Sequence, residues 1–244
     1  MCIWYNMFRK REIYKMKNIL VLDTETTGEL KQPLIYDFGY KIVSPQGEVL
    51  FSKNALVREV FENKFIMDKA FYSQKVKTYN EKLSKKEIDI QPYHVLIREF
   101  IKKARKYNVE IISAYNLAFD IAAINGTMRM CYSQGHDDKI LEKLINQKNK
   151  KLLCIWNLAC ETILDTDEYR EFAKTNNKIS EKGNYFTNAE VTYQYITKNL
   201  DFIEEHTAIA DVEIEIEILL HILKNYSGNL TYGLHYGSWK KVQR

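Results

Sequence analysis

Proline and glycine are scarce in this chain, 3 and 9 among 244 residues. That leaves little from which to build a flexible linker or a low-complexity tract, and no internal repeat is visible, which favours one compact domain over a string of tethered modules. Cysteine is scarce as well. Cys2, Cys131, Cys154 and Cys160 form no CxxC pair, which rules out a disulfide framework, speaks against structural zinc, and places the chain in a reducing, cytoplasmic setting. No apolar run approaches the roughly 18 residues of a membrane span, so no membrane partner is expected. A charge excess is also missing. Lys plus Arg total 36 against 32 for Asp plus Glu, a net +4, and any polyanion would have to be met by local patches such as "KKARK" at 102–106 and "KNKK" at 148–151. Such runs are commonly no more than solvated faces.

What is present is core material, 45% hydrophobic and 13% aromatic residues, enough for one sizeable domain. The opening "MCIWYNMFRKREIYKMKN" is basic and aromatic but lacks the apolar centre of an export signal. Starting at Met16 would put the first strand almost at the N-terminus. Residues 1–17 are therefore expected to be a flexible extension or a start placed too far upstream, 18–226 the working domain, and 227–244 a C-terminal tail. A nucleic-acid-binding arm is the sharper alternative for the first segment.

The apolar runs Ile19 to Asp23, Ile35 to Val43 and the stretch from Val49 predict strands, the last two joined by the turn "SPQG". Val57 to Lys106, Lys-rich with apolar residues at helical intervals, predicts several helices. "VEIISA" at 109–114 and Leu152 to Trp156 predict two further buried strands, with helix after Asp120 and from Asn157 onward. "GNYFTNAEVTYQYI" reads as helix, with Tyr185, Phe186 and Tyr193 in the core or at its rim. Strands come first as a meander and later alternate with helices, a mixed α/β order. "DVEIEIEIL" contains a conflict, because it alternates with period two yet sets Ala208, Val212, Ile216, Leu219 and Leu223 at spacings of three and four. Good helix formers decide for a deeply packed helix.

Asp23 and Glu25 lie two apart at the end of a strand, on one face, with Cα atoms about 6.6 Å apart. Held together and partly buried they repel, and without a counter-charge one would take up a proton. A divalent cation removes that conflict, although a lone DxE is ordinarily just a strand running into a polar turn. Asp120 follows a buried strand and opens a helix, where α/β proteins present functional side chains and where a simple N-cap would also fit. His206 precedes Asp211 by five residues. On one continuous helix that spacing turns through about 140°, so convergence requires His206 on a preceding loop and Asp211 in the first turns.

"LDTETTG", "AYNLAFD" and "HTAIAD", in that order, resemble the three signature motifs of the DnaQ-like 3′-to-5′ exonucleases, the histidine-containing branch of the four-acid exonucleases. The likeness runs from Asp23 to Asp211. It extends to phage-encoded exonucleases and to proofreading exonucleases of the polymerase III epsilon type. Each motif alone is a modest signal; their order and spacing together are specific. The resemblance implies a ribonuclease H-like mixed central sheet, an antiparallel meander followed by parallel strands, flanked by helices. By motif it makes Asp23, Glu25, Asp120 and Asp211 ligands of two Mg²⁺ or Mn²⁺ ions and His206 the general base. The chemistry is consistent. Two cations about 3.5 to 4 Å apart can hold an attacking water and a leaving oxygen on either side of one phosphorus. All-oxygen ligands suit Mg²⁺ and Mn²⁺ better than zinc, and an imidazole can accept a proton near neutral pH.

Finer assignments follow from the same likeness. Thr26 and Thr27 are expected to offer hydrogen bonds to the terminal nucleotide, unless they serve only the turn. Relatives often carry an apolar wedge directly after the "TTG" glycine; here Glu29 stands there, and Leu30 is expected to take over. Tyr115 replaces a frequent histidine before Asn116, away from the ligands. Asn116 and Phe119 are expected to brace the second motif, through a hydrogen bond and core packing respectively, with base stacking by Phe119 the alternative. DNA with a free 3′ end is the expected substrate, RNA the runner-up, and a catalytically silent binding module the alternative from another class. Any proofreading role would need a separate DNA polymerase.

Overall fold

The computed structural model describes residues 17–27, 32–70, 75–132, 150–226, 228–234 and 237–244. Six strands form one sheet in the order β4-β3-β2-β1-β5-β6. β1 (Ile19–Thr27), β2 (Leu34–Val43) and β3 (Val49–Val57) make the antiparallel meander, while β5 (Ile111–Ala114) and β6 (Lys151–Cys154) continue it parallel to β1. β4 (Asp89–Gln91), a three-residue strand parallel to β3, was not expected from the sequence; it is too short to show a period.

The β1 sequence is apolar at consecutive positions because both faces of the sheet are covered. Leu20 and Leu22 join one cluster, closed over by α4 (Tyr93–Lys106) and α5 (Leu117–Cys131). Ile19 and Val21 join the other, closed over by α6 (Ile155–Thr162), α8 (Ala189–Thr197) and α9 (Ala208–Asn225). Shorter helices complete the element order: α1 (Arg58–Phe61), α2 (Lys64–Met67), α3 (Val76–Ser84) and α7 (Asp167–Thr175). The expected β2–β3 turn is present, with Gly47 N donating to Ser44 O at 2.9 Å and Gly47 at φ +93°.

Several boundaries differ from the sequence reading, each for a tertiary reason. β1 does not stop at Asp23 but runs to Thr27, because β2 pairs with it along its whole length, past an irregularity between Glu25 and Thr26. The last strand ends at Cys154, where pairing with β5 ends at Ala114; Trp156 already lies in α6, its N–H donating to Tyr115 O. Tyr185 and Phe186 precede α8 instead of lying in it. "DVEIEIEIL" is helical: α9 packs against β1 and β2 and also against α6 and α8, so apolar residues on several of its sides are buried. Residues 227–244, expected as a tail, include α10 (Trp239–Val242), which packs on α6 with Val242 fully buried.

Cys131, Cys154 and Cys160 are free thiols. No helix among the described residues is long and apolar enough to cross a membrane.

Candidate active site

The site forms where β1 outruns its parallel neighbour. β1 pairs with β5 only over Ile19–Val21, so Asp23 to Thr27 continue with β2 on one side alone. Strand alternation sends Asp23 and Glu25 toward the α9 face and Thr24 toward the α5 face. Asp120, in the first turn of α5, reaches this edge and accepts a 2.8 Å hydrogen bond from Thr24 Oγ1. Asn116, not Asp120, is the N-cap residue, so the capping role does not account for this carboxylate.

α9 delivers the third contribution. Gly39, opposite Asp23 in the β1–β2 register, lies under its first residue, and a Cβ there would come within 2.6 Å of the Ala208 backbone. Only glycine allows so close an approach. Asp37, opposite Glu25, locks the contact: its Oδ2 accepts from Ala208 N at 3.1 Å and from Tyr79 Oη at 2.7 Å. Asp211 then falls in the first turn, and His206 sits in the preceding segment at φ +52°, a left-handed conformation uncommon outside glycine. Lys75 Nζ donates to the carbonyls of Glu205 and His206, the latter at 2.8 Å, and so ties this segment to the α3 side. Glu25, His206 and Asp211 each bring a ligand atom within 4.8 Å of the others. Asp23 and Asp120 stand outside that trio, yet both carry enough charge nearby to perturb the same centre.

Electrostatically the site is in conflict with itself. Burial, then the neighbouring Glu215 and Asp120, pushes Asp23 well above the usual carboxylate range. Burial and Asp37 raise Glu25 to about 8, and burial with Glu204 and Glu25 raises Asp211 to about 9. Asp120 is raised by burial to about 7 against the pull of the Thr24 hydroxyl. His206 is shifted the other way, lowered by burial and by Lys75, which keeps the imidazole neutral; its Nδ1 faces Glu204 Oε2 at 3.6 Å. Asp211 Oδ1 and Glu215 Oε2 are buried with no hydrogen-bond partner among the described residues. Hard oxygen donors, mutual repulsion and unsatisfied lone pairs are what a divalent cation would relieve, so the residues fit one.

The remaining expected contacts divide. Thr27 is buried, its hydroxyl donating to Ile66 O at 2.7 Å, whereas Thr26 is half-buried. Leu30 lies outside the described residues. Phe119 is half-buried and belongs to neither core cluster, contrary to the packing role expected of it. Asn116 is exposed, and its carbonyl, which accepts from Phe119 N at 2.8 Å, does the bracing expected of a side chain. Beside the acids opens a cleft of about 700 Å³ whose lining includes Tyr115, Asn116, Trp156, Tyr185, Phe186 and Glu190. Glu190 links it to the site, accepting from Glu204 N at 3.0 Å.

Asp37, Glu204 and Glu215 were missed by motif reading, since none falls in a signature position. Asp37 could have been noticed as the one acid in the apolar run "LIYDFGYKIV", and Glu215 as lying four residues after Asp211, on the same helical face.

No protein-family model and no curated protein matches the sequence. The architecture itself, an antiparallel meander continued by parallel strands between helical layers, is a ribonuclease H-like fold. Solved structures with this fold include E. coli Exonuclease I in complex with a dA16 oligonucleotide, at TM-score 0.52 and 14% identity over 86% of this chain and 43% of that one. The same enzyme with a dT13 oligonucleotide gives TM-score 0.53 and 13% identity over 85% and 41%. The chain thus spans less than half the length of those proteins.

Proposed function

We propose that this protein is a metal-dependent 3′-to-5′ exonuclease that releases nucleoside monophosphates from DNA ends. The observation that carries the reading is the convergence of Glu25, His206 and Asp211 within 4.8 Å, beside Asp23 and Asp120, from three separate chain segments. In this reading Asp23, Glu25, Asp120 and Asp211 hold two Mg²⁺ or Mn²⁺ ions. When bound, such a pair supplies charge stabilisation to the attacking and leaving oxygens of a phosphodiester. His206 accepts the proton of the attacking water; Nδ1 faces Glu204, which leaves Nε2 as the acceptor. Thr26, Leu30 and Phe119 meet the terminal nucleotide, with Thr27 contributing through its backbone. The aromatic cleft receives the strand behind it, since bases stack on exposed rings whatever their identity.

DNA is preferred in this proposal because the likeness of fold is to an exonuclease solved with DNA oligonucleotides. A separate DNA polymerase would be the partner in any proofreading role. The test is purified protein with 3′-labelled single-stranded DNA and RNA, in Mn²⁺ or in EDTA. Mononucleotide release from DNA in Mn²⁺ only is the expected result. Release from RNA alone would transfer the function to RNA trimming, and binding without release in either medium would refute the enzyme.

A further inference from the structure

His206 stands at φ +52°, a conformation that costs a non-glycine residue free energy and lasts only where the surroundings impose it. Between Thr197, where α8 ends, and Ala208, where α9 begins, no regular element does so. A side chain from elsewhere in the fold does. Lys75 Nζ donates to the carbonyl of Glu205 and, at 2.8 Å, to that of His206. Those two carbonyls lie on either side of the His206 Cα. Because peptide planes are rigid, the φ and ψ bonds of His206 are the soft rotations between them, and an ammonium bonded to both carbonyls restricts both rotations at once. The helix that follows is also held from outside: Thr207 makes no side-chain cap, and the N–H of Ala208 goes to Asp37 instead.

Lys75 acts from a rigid base. It is partly buried and has helical backbone angles, φ −80° and ψ −8°, at the start of α3. Tyr79 and Lys82 follow it by four and seven residues, which puts all three within about 60° of one another around the helix. They converge on the same stretch of chain. Tyr79 Oη donates at 2.7 Å to Asp37 Oδ2, the oxygen that accepts from Ala208 N, and Lys82 Nζ pairs with Glu205 Oε1 at 3.0 Å. Tyr79 is 1% exposed, and its ring meets those of Tyr36 and Phe61 edge-on, so this face of α3 is anchored in the core. One helix face thus reaches Glu205, His206 and, through Asp37, the first residue of α9.

We propose that Lys75 is a positioning residue: from the anchored face of α3 it bridges the Glu205 and His206 carbonyls, holds His206 in its left-handed conformation and so sets where the imidazole stands beside Glu25 and Asp211. Its place in catalysis rests on the reading of His206 as the general base. Lys75→Met keeps an unbranched stem and removes the donors, whereas Lys75→Arg supplies donors again. With 3′-labelled single-stranded DNA and Mn²⁺, kcat of Lys75→Met should fall about tenfold to a hundredfold while KM stays within about twofold, the mark of a misplaced group and not of lost substrate binding. Lys75→Arg should recover most of that loss. Lys77→Met, which removes the same charge from an exposed position two residues on, should change neither constant. Hydrogen–deuterium exchange of the full chain gives a readout that needs no activity: residues 200–207 should exchange several times faster in Lys75→Met than in the parent, and Lys75→Arg should slow them again. Exchange at the parent's rate in Lys75→Met would overturn the inference. So would a raised KM with kcat unchanged, since the ammonium would then be a substrate contact, and so would a Lys75→Arg variant as slow as Lys75→Met. If the parent releases no nucleotide, the nuclease reading fails there, and the exchange comparison still decides whether Lys75 holds His206.

Discussion

His206 is held by its backbone and by its neighbours. Its left-handed conformation, the Lys75 ammonium on its carbonyl and Glu204 at its Nδ1 fix where the imidazole stands, and burial keeps it neutral. Replacing it with alanine should lower turnover by about 10² to 10⁴, the usual contribution of a general base, with the melting temperature nearly unchanged because the side chain is partly exposed; a fully active variant would refute the role. The carboxylates give a second expectation. Glu25, Asp37, Asp120 and Asp211 lie at about 8, 6, 7 and 9 in the fold, against ordinary values near 4. The folded chain therefore holds more protons than the unfolded chain across the interval between those limits, and stability falls as pH rises through it. In EDTA the melting temperature should drop between pH 5 and pH 9. Mn²⁺ should restore it, and by more at the alkaline end, where fewer protons must be displaced. A flat profile in EDTA would show that these acids are not buried together.

Among the elements, α9 and β2 decide whether the acids meet at all. Gly39 lets the helix start touch the sheet, and Asp37 bonds the helix's first N–H. Gly39→Ala should cost about 1 to 3 kcal/mol, typical of overpacking, and should reduce activity further than that loss of stability alone explains, because Asp211 moves away from Asp23. Thermal melting and steady-state rates measured side by side would check this; normal turnover in a destabilised variant would separate the contact from the site. The cleft between α8 and the start of α5 is the element that receives the strand in the proposed reading. Trp156 lies in its lining and donates through Nε1 to Thr187 Oγ1 at 2.9 Å. Its fluorescence should change on titration with single-stranded oligonucleotide in EDTA, with saturation, and Phe186→Ala should weaken that binding by about 1 to 3 kcal/mol, the usual contribution of a stacked ring.

At the scale of the whole molecule, a chain with a net charge of only +4 gathers its candidate site at the end of β1, an interior strand of a sheet covered on both faces. The mixed order of strands, the buried character of β1 and the helix hidden in "DVEIEIEIL" were legible because each follows from local composition and period. So was the separation of His206 from the helix that bears Asp211, which the helical repeat alone requires. The end of β1, the start of α6 inside "CIWN" and the short β4 were not legible, because partner strands set those limits. Phe119 looked like a core residue by type, yet its side chain falls outside both clusters. What the sequence determined by itself was the inventory: which elements form, and which acids and histidine could carry metal chemistry. Only the tertiary structure decided which of them meet, Glu25 with His206 and Asp211, and that Asp37 anchors the helix that brings Asp211. Repulsion and burial act between segments nearly two hundred residues apart, and no local pattern records such distances.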